Sequence, residues 1–155
     1  KRYPGAQCFG IDAAHVMIET ARKNIAKAGL ADRITVRQGL AQDLTPEMFD
    51  RDQPFDVTYF SYSLSMIPPW KASVDAAIAA TRPGRTVYSV DFWDQQGYPA
   101  WFRAVLQKWL DLFHVHFHPE LLEYLKTVAQ QQGSELQLKP IGKQYAYIAA
   151  VKTKR

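Results

Sequence analysis

Cys8-Phe9-Gly10-Ile11-Asp12 and the helix-like residues 13–28 behind it are the stretch whose reading decides the fold. A short apolar run ends in an acid. Val16, Met17, Ala21, Ile25 and Ala28 then recur at helical spacing. Arg22, Lys23 and Lys27 gather toward the end of that run, and Gly29 follows it. Basic side chains and a glycine there are signals of a helix C-terminus. The pattern predicts a buried strand, a helix, and Asp12 at the junction between them.

The same alternation continues down the chain. Residues 34–37 read as a second strand, followed by Gly39-Leu40-Ala41-Gln42-Asp43-Leu44. Thr45 and Pro46 are placed to start a short helical turn. Residues 55–60 form an almost continuous apolar run, as a strand covered on both faces requires. Residues 71–81 read as helix, Pro83-Gly84 as a turn, and residues 86–92 as a fourth strand. Two more helices are expected at 99–113 and 119–132, the latter stopped by Gly133. Residues 136–138 and 145–151 read as closing strands, arranged as a hairpin. Strands alternating with helices argue for a three-layer α/β fold with a mostly parallel sheet and an antiparallel strand at the C-terminus.

Composition narrows the function classes. Hydrophobic residues make up 47% and charged residues 22% of 155 residues, as in a folded domain with a real core. No run approaches the ~18 apolar residues that would cross a bilayer, and no charged-then-apolar leader opens the sequence. Cys8 is the one cysteine, so no intramolecular disulfide forms, and a cytoplasmic setting is expected. The net charge is +4. It is spread along the chain rather than gathered in a patch, which argues against a nucleic-acid partner. Basic charge beside apolar side chains also suits an anionic membrane surface.

Asp12 carries the first chemical expectation. An acid ending a strand before a helix can accept hydrogen bonds from both hydroxyls of a ribose, because a carboxylate offers two acceptor oxygens. It can equally serve as a local cap. Tyr62 follows the third strand, where it is either an amine-facing group or half-buried packing. Asp91 ends the fourth strand, as a substrate-side charge or as a loop anchor.

Gly10-Ile11-Asp12, Met17 beyond it, the alanine-rich helix, the next strand and Gly39-Leu40-Ala41 resemble motifs of the class I S-adenosylmethionine-dependent methyltransferases, whose fold is Rossmann-like. The resemblance runs roughly from Gly10 to Val151 and implies S-adenosylmethionine as cofactor. It implies that Asp12, Ala13, Met17, Gly39, Leu40, Ala41 and Ser61 hold that cofactor. Leu40 stands where the family usually has an acid on the adenine edge. The family's first strand and glycine-rich loop, expected before Cys8, are not found in Lys1-Arg2-Tyr3-Pro4-Gly5. The expectation is one methyltransferase domain over residues 1–155, N-terminally incomplete. Open strand edges beside the gap and weak cofactor binding by these residues alone follow from it.

Phe60-Ser61-Tyr62-Ser63-Leu64-Ser65-Met66-Ile67-Pro68-Pro69-Trp70 is more specific. With Val90-Asp91-Phe92, Trp101-Phe102-Arg103 and Trp109 through Val115, it resembles the N-methyltransferases of betaine-lipid synthesis, which act on diacylglyceryl-homoserine. That resemblance implies a lipid-amine acceptor, Tyr62 and Asp91 as catalytic residues, and Trp93, Trp101, Arg103 and His114 on the substrate side. A small soluble amine, a quinone-type acceptor and a non-catalytic module are the competing readings. Trp101, Val105, Lys108, Trp109 and Leu112 share one helical face, serving either as a lipid-contacting surface with peripheral membrane contact or as a core stripe. His114, His116 and His118 alternate as zinc ligands can. Methyl transfer from a sulfonium needs no metal, and none is assigned.

Overall fold

The computed structural model describes residues 3–112 and 119–155. Strand β1 (Cys8–Asp12) leads into helix α1 (His15–Lys27) and strand β2 (Ile34–Gln38). Short 3-10 turns at Ala41–Asp43 and Pro46–Phe49 precede β3 (Phe55–Ser61). A third 3-10 turn, Leu64–Met66, enters α2 (Trp70–Ala80), and β4 (Thr81–Phe92) follows. Helices α3 (Ala100–Asp111) and α4 (Pro119–Gln131) and strands β5 (Gln137–Ile141) and β6 (Ala146–Lys152) complete the order.

The strands pair in two groups. β1 and β2 are parallel, while β3-β4-β6-β5 form a second sheet. Within it β3 and β4 are parallel and β6 runs antiparallel to both its neighbours. This is the expected Rossmann-like α/β arrangement with one antiparallel strand near the C-terminus. Among the described residues, β1 pairs only with β2 and β3 only with β4, so each presents an open edge. Three phenylalanines connect the two groups instead. Phe9 of β1 meets Phe49 and Phe55 with ring centroids 5.2 and 5.7 Å apart, and the Arg51 guanidinium lies 4.8 Å over Phe9.

The main core lies on one face of the larger sheet. Phe60, Val87, Ala149 and Val151 project there against Val74 and Ala77 of α2 and Leu125 and Val128 of α4. Leu64 is fully buried in the same cluster. Burial of a side chain of that size contributes about 2–3 kcal/mol. On the other face Val57, Tyr59 and Tyr88 stay exposed.

Two expectations are corrected. The Pro83-Gly84 turn is absorbed into β4, because Phe55 pairs with Thr81 while Val57 pairs with Thr86. The extra residues bulge out, and Gly84 supplies a positive φ of 75°. The apolar stripe of α3 does not pack into the core. Trp101 is 71% exposed, Val105 63%, Trp109 51% and Leu112 76%.

Tyr124 ties α4 to α2 by donating its hydroxyl hydrogen to Asp75 Oδ1 at 2.7 Å. Burial, then the hydrogen bond and charge of Asp75, push its pKa from 10.0 up to about 12. A raised folded-state value means the native protein holds this proton longer than the unfolded chain does. The associated stability is therefore complete below pH 10 and lost as the pH rises toward about 12. Tyr124→Phe is expected to flatten the fall in melting temperature over that window, measured by circular dichroism.

Candidate functional site at the strand ends

The residues singled out by sequence fall mainly at the ends of two strand pairs, β1 with β2 and β3 with β4. At the first pair, the Gly39 amide donates to the Asp12 carbonyl at 3.1 Å, and Gln38 Nε2 donates to the Ala13 carbonyl at 3.0 Å. These bonds lock the β1 and β2 exits together. The Asp12 carboxylate accepts the Ala14 amide through Oδ1 at 2.8 Å, and the side chain stays exposed. Its local capping role thus uses one oxygen. Met17 on α1 and Leu40 after β2 are both exposed although apolar. A Cβ at Gly39 would sit 2.5 Å from Met48 Cε, the flexible end of a side chain that would have to move aside.

This donor set fits the nucleoside part of S-adenosylmethionine. An exposed carboxylate suits a ribose diol, and two exposed apolar side chains suit the faces of an adenine. Ala41 instead packs its side chain against the main core, which leaves its backbone as the available group. Leu40 offers no acceptor, while Gln42 and Asp43 lie on the same 3-10 turn.

At the second pair, Ser61 is exposed at the end of β3 and Tyr62 leaves the strand in a left-handed conformation, φ 50°. The Tyr62 amide donates to the Val90 carbonyl at 2.7 Å, and its ring meets Phe92 at 4.9 Å. The conformation is uncommon for a residue with a Cβ and costs on the order of 1–3 kcal/mol. The bond and the ring contact hold it there.

Asp91 is 1% exposed. Its Oδ2 accepts the Ser65 amide at 2.9 Å and its Oδ1 the Phe92 amide at 2.8 Å. Both oxygens are directed at the backbone that carries Tyr62 and Phe92, so the geometry supports loop anchoring. Beside Asp91, the buried hydroxyls of Ser65, Ser89 and Tyr147 have no well-formed hydrogen bond among the described residues. Burial pushes the Tyr147 phenol well above the ordinary tyrosine range.

Trp93 packs partly buried against the core, edge-on to Tyr147 at 6.1 Å. It therefore supports β4 rather than covering the site. Trp101 is exposed on α3 and Arg103 half-buried on the same helix. His114 and its neighbours His116 and His118 lie outside the described residues.

The structure adds residues that sequence reading missed. Phe92 meets Tyr145 edge-on at 5.5 Å, and Tyr98 meets Phe102 of α3 at 5.0 Å. The turn between β5 and β6 is pinned to the segment after β4: the Trp93 amide donates to the Tyr145 carbonyl, and the Gln95 amide to the Gln144 carbonyl. Gly97 lies against Lys143 so closely that a Cβ would fall 2.5 Å from its carbonyl oxygen. The only sequence signal for this contact was the aromatic density around Tyr98.

Comparison with known proteins agrees with this geometry. A family described as a methyltransferase domain matches residues 1–84, more than half of the 155-residue chain. No curated protein sequence matches significantly. Among solved structures, an O-methyltransferase family protein from Burkholderia thailandensis superposes with a TM-score of 0.68 at 15% identity, over 98% of this chain and 52% of its own. The S-adenosylmethionine-dependent methyltransferase SibL gives 0.67 at 16% identity, over 97% and 51%. The O-methyltransferase from Bacillus cereus in complex with SAH gives 0.56 at 20% identity, over 96% and 64%. The chain thus spans roughly half to two thirds of these structures. With the family match running through β1, β2, β3 and α2 and the fold shared across nearly the whole chain, this chain belongs to the family described as a methyltransferase domain.

Proposed function

We propose that this chain belongs to an S-adenosylmethionine-dependent N-methyltransferase acting on the amine of a lipid headgroup. The observation that carries the reading is the continuity between the strand-end site and the exposed stripe of α3. Tyr62 contacts Phe92 and Phe92 contacts Tyr145; Tyr98, which borders the same Gly142 turn, contacts Phe102, whose ring meets Trp101 of the stripe at 5.7 Å. A headgroup held at Tyr62 would have its acyl chains beside Trp101, Val105 and Leu112. An exposed apolar helix face needs an apolar partner, and a bilayer surface provides one for a peripheral protein. No helix among the described residues is long and apolar enough to cross a membrane.

When bound, S-adenosylmethionine supplies an electrophilic sulfonium methyl group. The chain's own residues would do the rest. Asp12 holds the ribose, Met17 and Leu40 flank the adenine, and Asp91 fixes the loop that presents Tyr62. The Tyr62 hydroxyl accepts an N–H of the acceptor and aligns its lone pair. Positioning of this kind is the main requirement of an in-line displacement.

Methyl transfer from labelled S-adenosylmethionine, by the protein that carries this domain, tests the reading. Vesicles of an amine-headgroup lipid are expected to be labelled, and the matching water-soluble amine at least tenfold less. Equal labelling of the soluble amine would replace the lipid with a small-molecule acceptor, and no labelling of either would overturn the reading. The α3 stripe gives a separate prediction. Replacing both Trp101 and Leu112 with serine is expected to weaken vesicle binding at least about tenfold in a flotation assay, since each large apolar side chain contributes about 1.5–3 kcal/mol when buried.

A further inference from the structure

Backbone strain in this protein is concentrated in one place. Among the described residues, five non-glycine positions have positive φ: Asp50, Tyr62, Gln95, Lys143 and Gln144. All but Asp50 surround the aromatic rings beyond β4. Gln95 is buried, and its amide holds the Gln144 carbonyl at 2.9 Å. Lys143 and Gln144 follow Gly142, which is also left-handed at φ 48°. Three successive left-handed residues make a tight turn, and that turn delivers Tyr145 to Phe92. Strain of this kind persists only where the surroundings over-determine it, and it clusters at ligand sites.

The rings so placed converge. Phe92 is contacted by Tyr62 at 4.9 Å and by Tyr145 at 5.5 Å with an interplanar angle of 84°. A Cβ on Gly142 would lie 3.8 Å from Tyr145 Cβ and 4.0 Å from the Tyr98 hydroxyl, so both side chains border this turn. Burial raises the Tyr145 pKa, and proximity to the Tyr62 and Tyr98 phenols raises it further. Phe92, Tyr98 and Tyr145 are half-buried and Tyr62 is on the border of exposure, so the cluster is open on one side. Packing alone does not call for three phenols at an open rim. Tyr98 already faces one cation: Lys143 Nζ lies 5.8 Å from its ring centroid.

We propose that Tyr62, Phe92, Tyr98 and Tyr145 form an aromatic cage that binds an alkylated ammonium group. The inference rests on the amine reading above and names the receptor for that amine. Electron-rich ring faces attract a cation, and the attraction is strongest when the cation gives up little hydration. Each methyl group added to an amine removes an N–H donor and lowers its hydration. A cage of phenols serves both ends of such a series. The hydroxyls accept N–H bonds from an amine with few methyl groups, and the ring faces hold the ammonium once its N–H groups are gone. Lys143 at the mouth suits an anionic group on the same acceptor, a carboxylate or a phosphate.

The test needs no cofactor. Tetramethylammonium chloride and the neutral, water-soluble analogue neopentyl alcohol, which keeps the quaternary carbon and adds one hydroxyl, are titrated into the chain, with ring-labelled tyrosine and phenylalanine followed by NMR. Tetramethylammonium is expected to saturate and to shift the Tyr62, Tyr98 and Tyr145 ring signals, with the alcohol about tenfold weaker. Tyr98→Leu and Tyr145→Leu are each expected to weaken binding about 3- to 10-fold, and Tyr145→Phe, which keeps the ring, by less than threefold. Equal affinity for the two probes, shifts elsewhere on the protein, or full binding by a folded Tyr98→Leu variant would overturn the cage. If a leucine variant does not fold, the ring-shift map and Tyr145→Phe still decide. Glycine betaine against a single-chain alkyl betaine below its micelle concentration separates the sources. Tighter binding of the amphiphile supports a lipid headgroup, whereas equal binding keeps the cage and overturns the lipid. Amine methylation that Tyr98→Leu leaves unchanged would keep the proposed function and overturn the cage; cage binding without any amine methylation would do the reverse.

Discussion

Asp12→Ala is expected to weaken S-adenosylmethionine binding by about 100-fold, the largest loss from any single side chain at the cofactor end. Hydrogen bonds to a charged group contribute about 1.5–3 kcal/mol each, and two ribose hydroxyls sharing one carboxylate give about 3 kcal/mol or more, with about 1.4 kcal/mol per tenfold. The local bond of Asp12 to the Ala14 amide engages one oxygen on an exposed side chain. Loss of that bond alone therefore costs little stability, and the melting temperature is expected to move by only a few degrees. Asp12→Asn keeps an acceptor for the turn but loses the charge, and is expected to lie between the two. NMR titration reads the ratio even when the parent affinity is millimolar. A full-affinity Asp12→Ala variant would show that the carboxylate is only a turn former.

Asp91→Ala is expected to cost about 3–5 kcal/mol of stability, the largest effect on the fold. Removing this 1% exposed carboxylate strands the buried amide of Ser65 and the partly buried amide of Phe92, and a buried donor left without a partner costs about 1–3 kcal/mol. Urea unfolding followed by tryptophan fluorescence measures it. Asp91→Asn keeps one acceptor oxygen and is expected to lose roughly half as much. If Asp91→Asn were as stable as the parent yet abolished methyl transfer, Asp91 would belong among the groups that touch the acceptor. A parallel fall in stability and activity supports its role as the anchor of the Tyr62 loop.

What was legible in the sequence follows from the range over which each signal acts. Periodicity is local, so β1, α1, β2 and β3 are found close to where the residues predict them. The end of β4 nearest α2 was misread because Pro83-Gly84 carries the chemistry of a turn, while the pairing of Thr81 with Phe55 extends the strand through it. The α3 stripe was ambiguous for a different reason. Trp101, Val105 and Leu112 make the same pattern whether they face a core or the outside, and only the packing of α2 and α4 over the sheet shows that the core is already closed without them.

The site divides in the same way. Asp12 and Tyr62 can be nominated from sequence because one ends a strand and the other directly follows one, and strand ends are where such folds bind ligands. Asp91 was readable as an important acid but not as a buried one, since its partners Ser65 and Phe92 are fixed by how the loop folds back. Tyr145 could not be seen at all. Its contact with Phe92 depends on the register of β6 against β4 and on three left-handed residues in the preceding turn.

The Asp12 end of the site lies at the β1–β2 pair and the Tyr62 end at the β3–β4 pair, and one cofactor must reach both for methyl transfer to occur. The most direct measurement is an intermolecular NOE experiment on this chain with millimolar S-adenosylmethionine labelled at the transferable methyl. Contacts are expected from the adenine protons to Met17 and Leu40, and from the labelled methyl to the Tyr62 ring. Adenine contacts to any other surface, or a methyl signal that approaches no residue at the β3 and β4 ends, would contradict it.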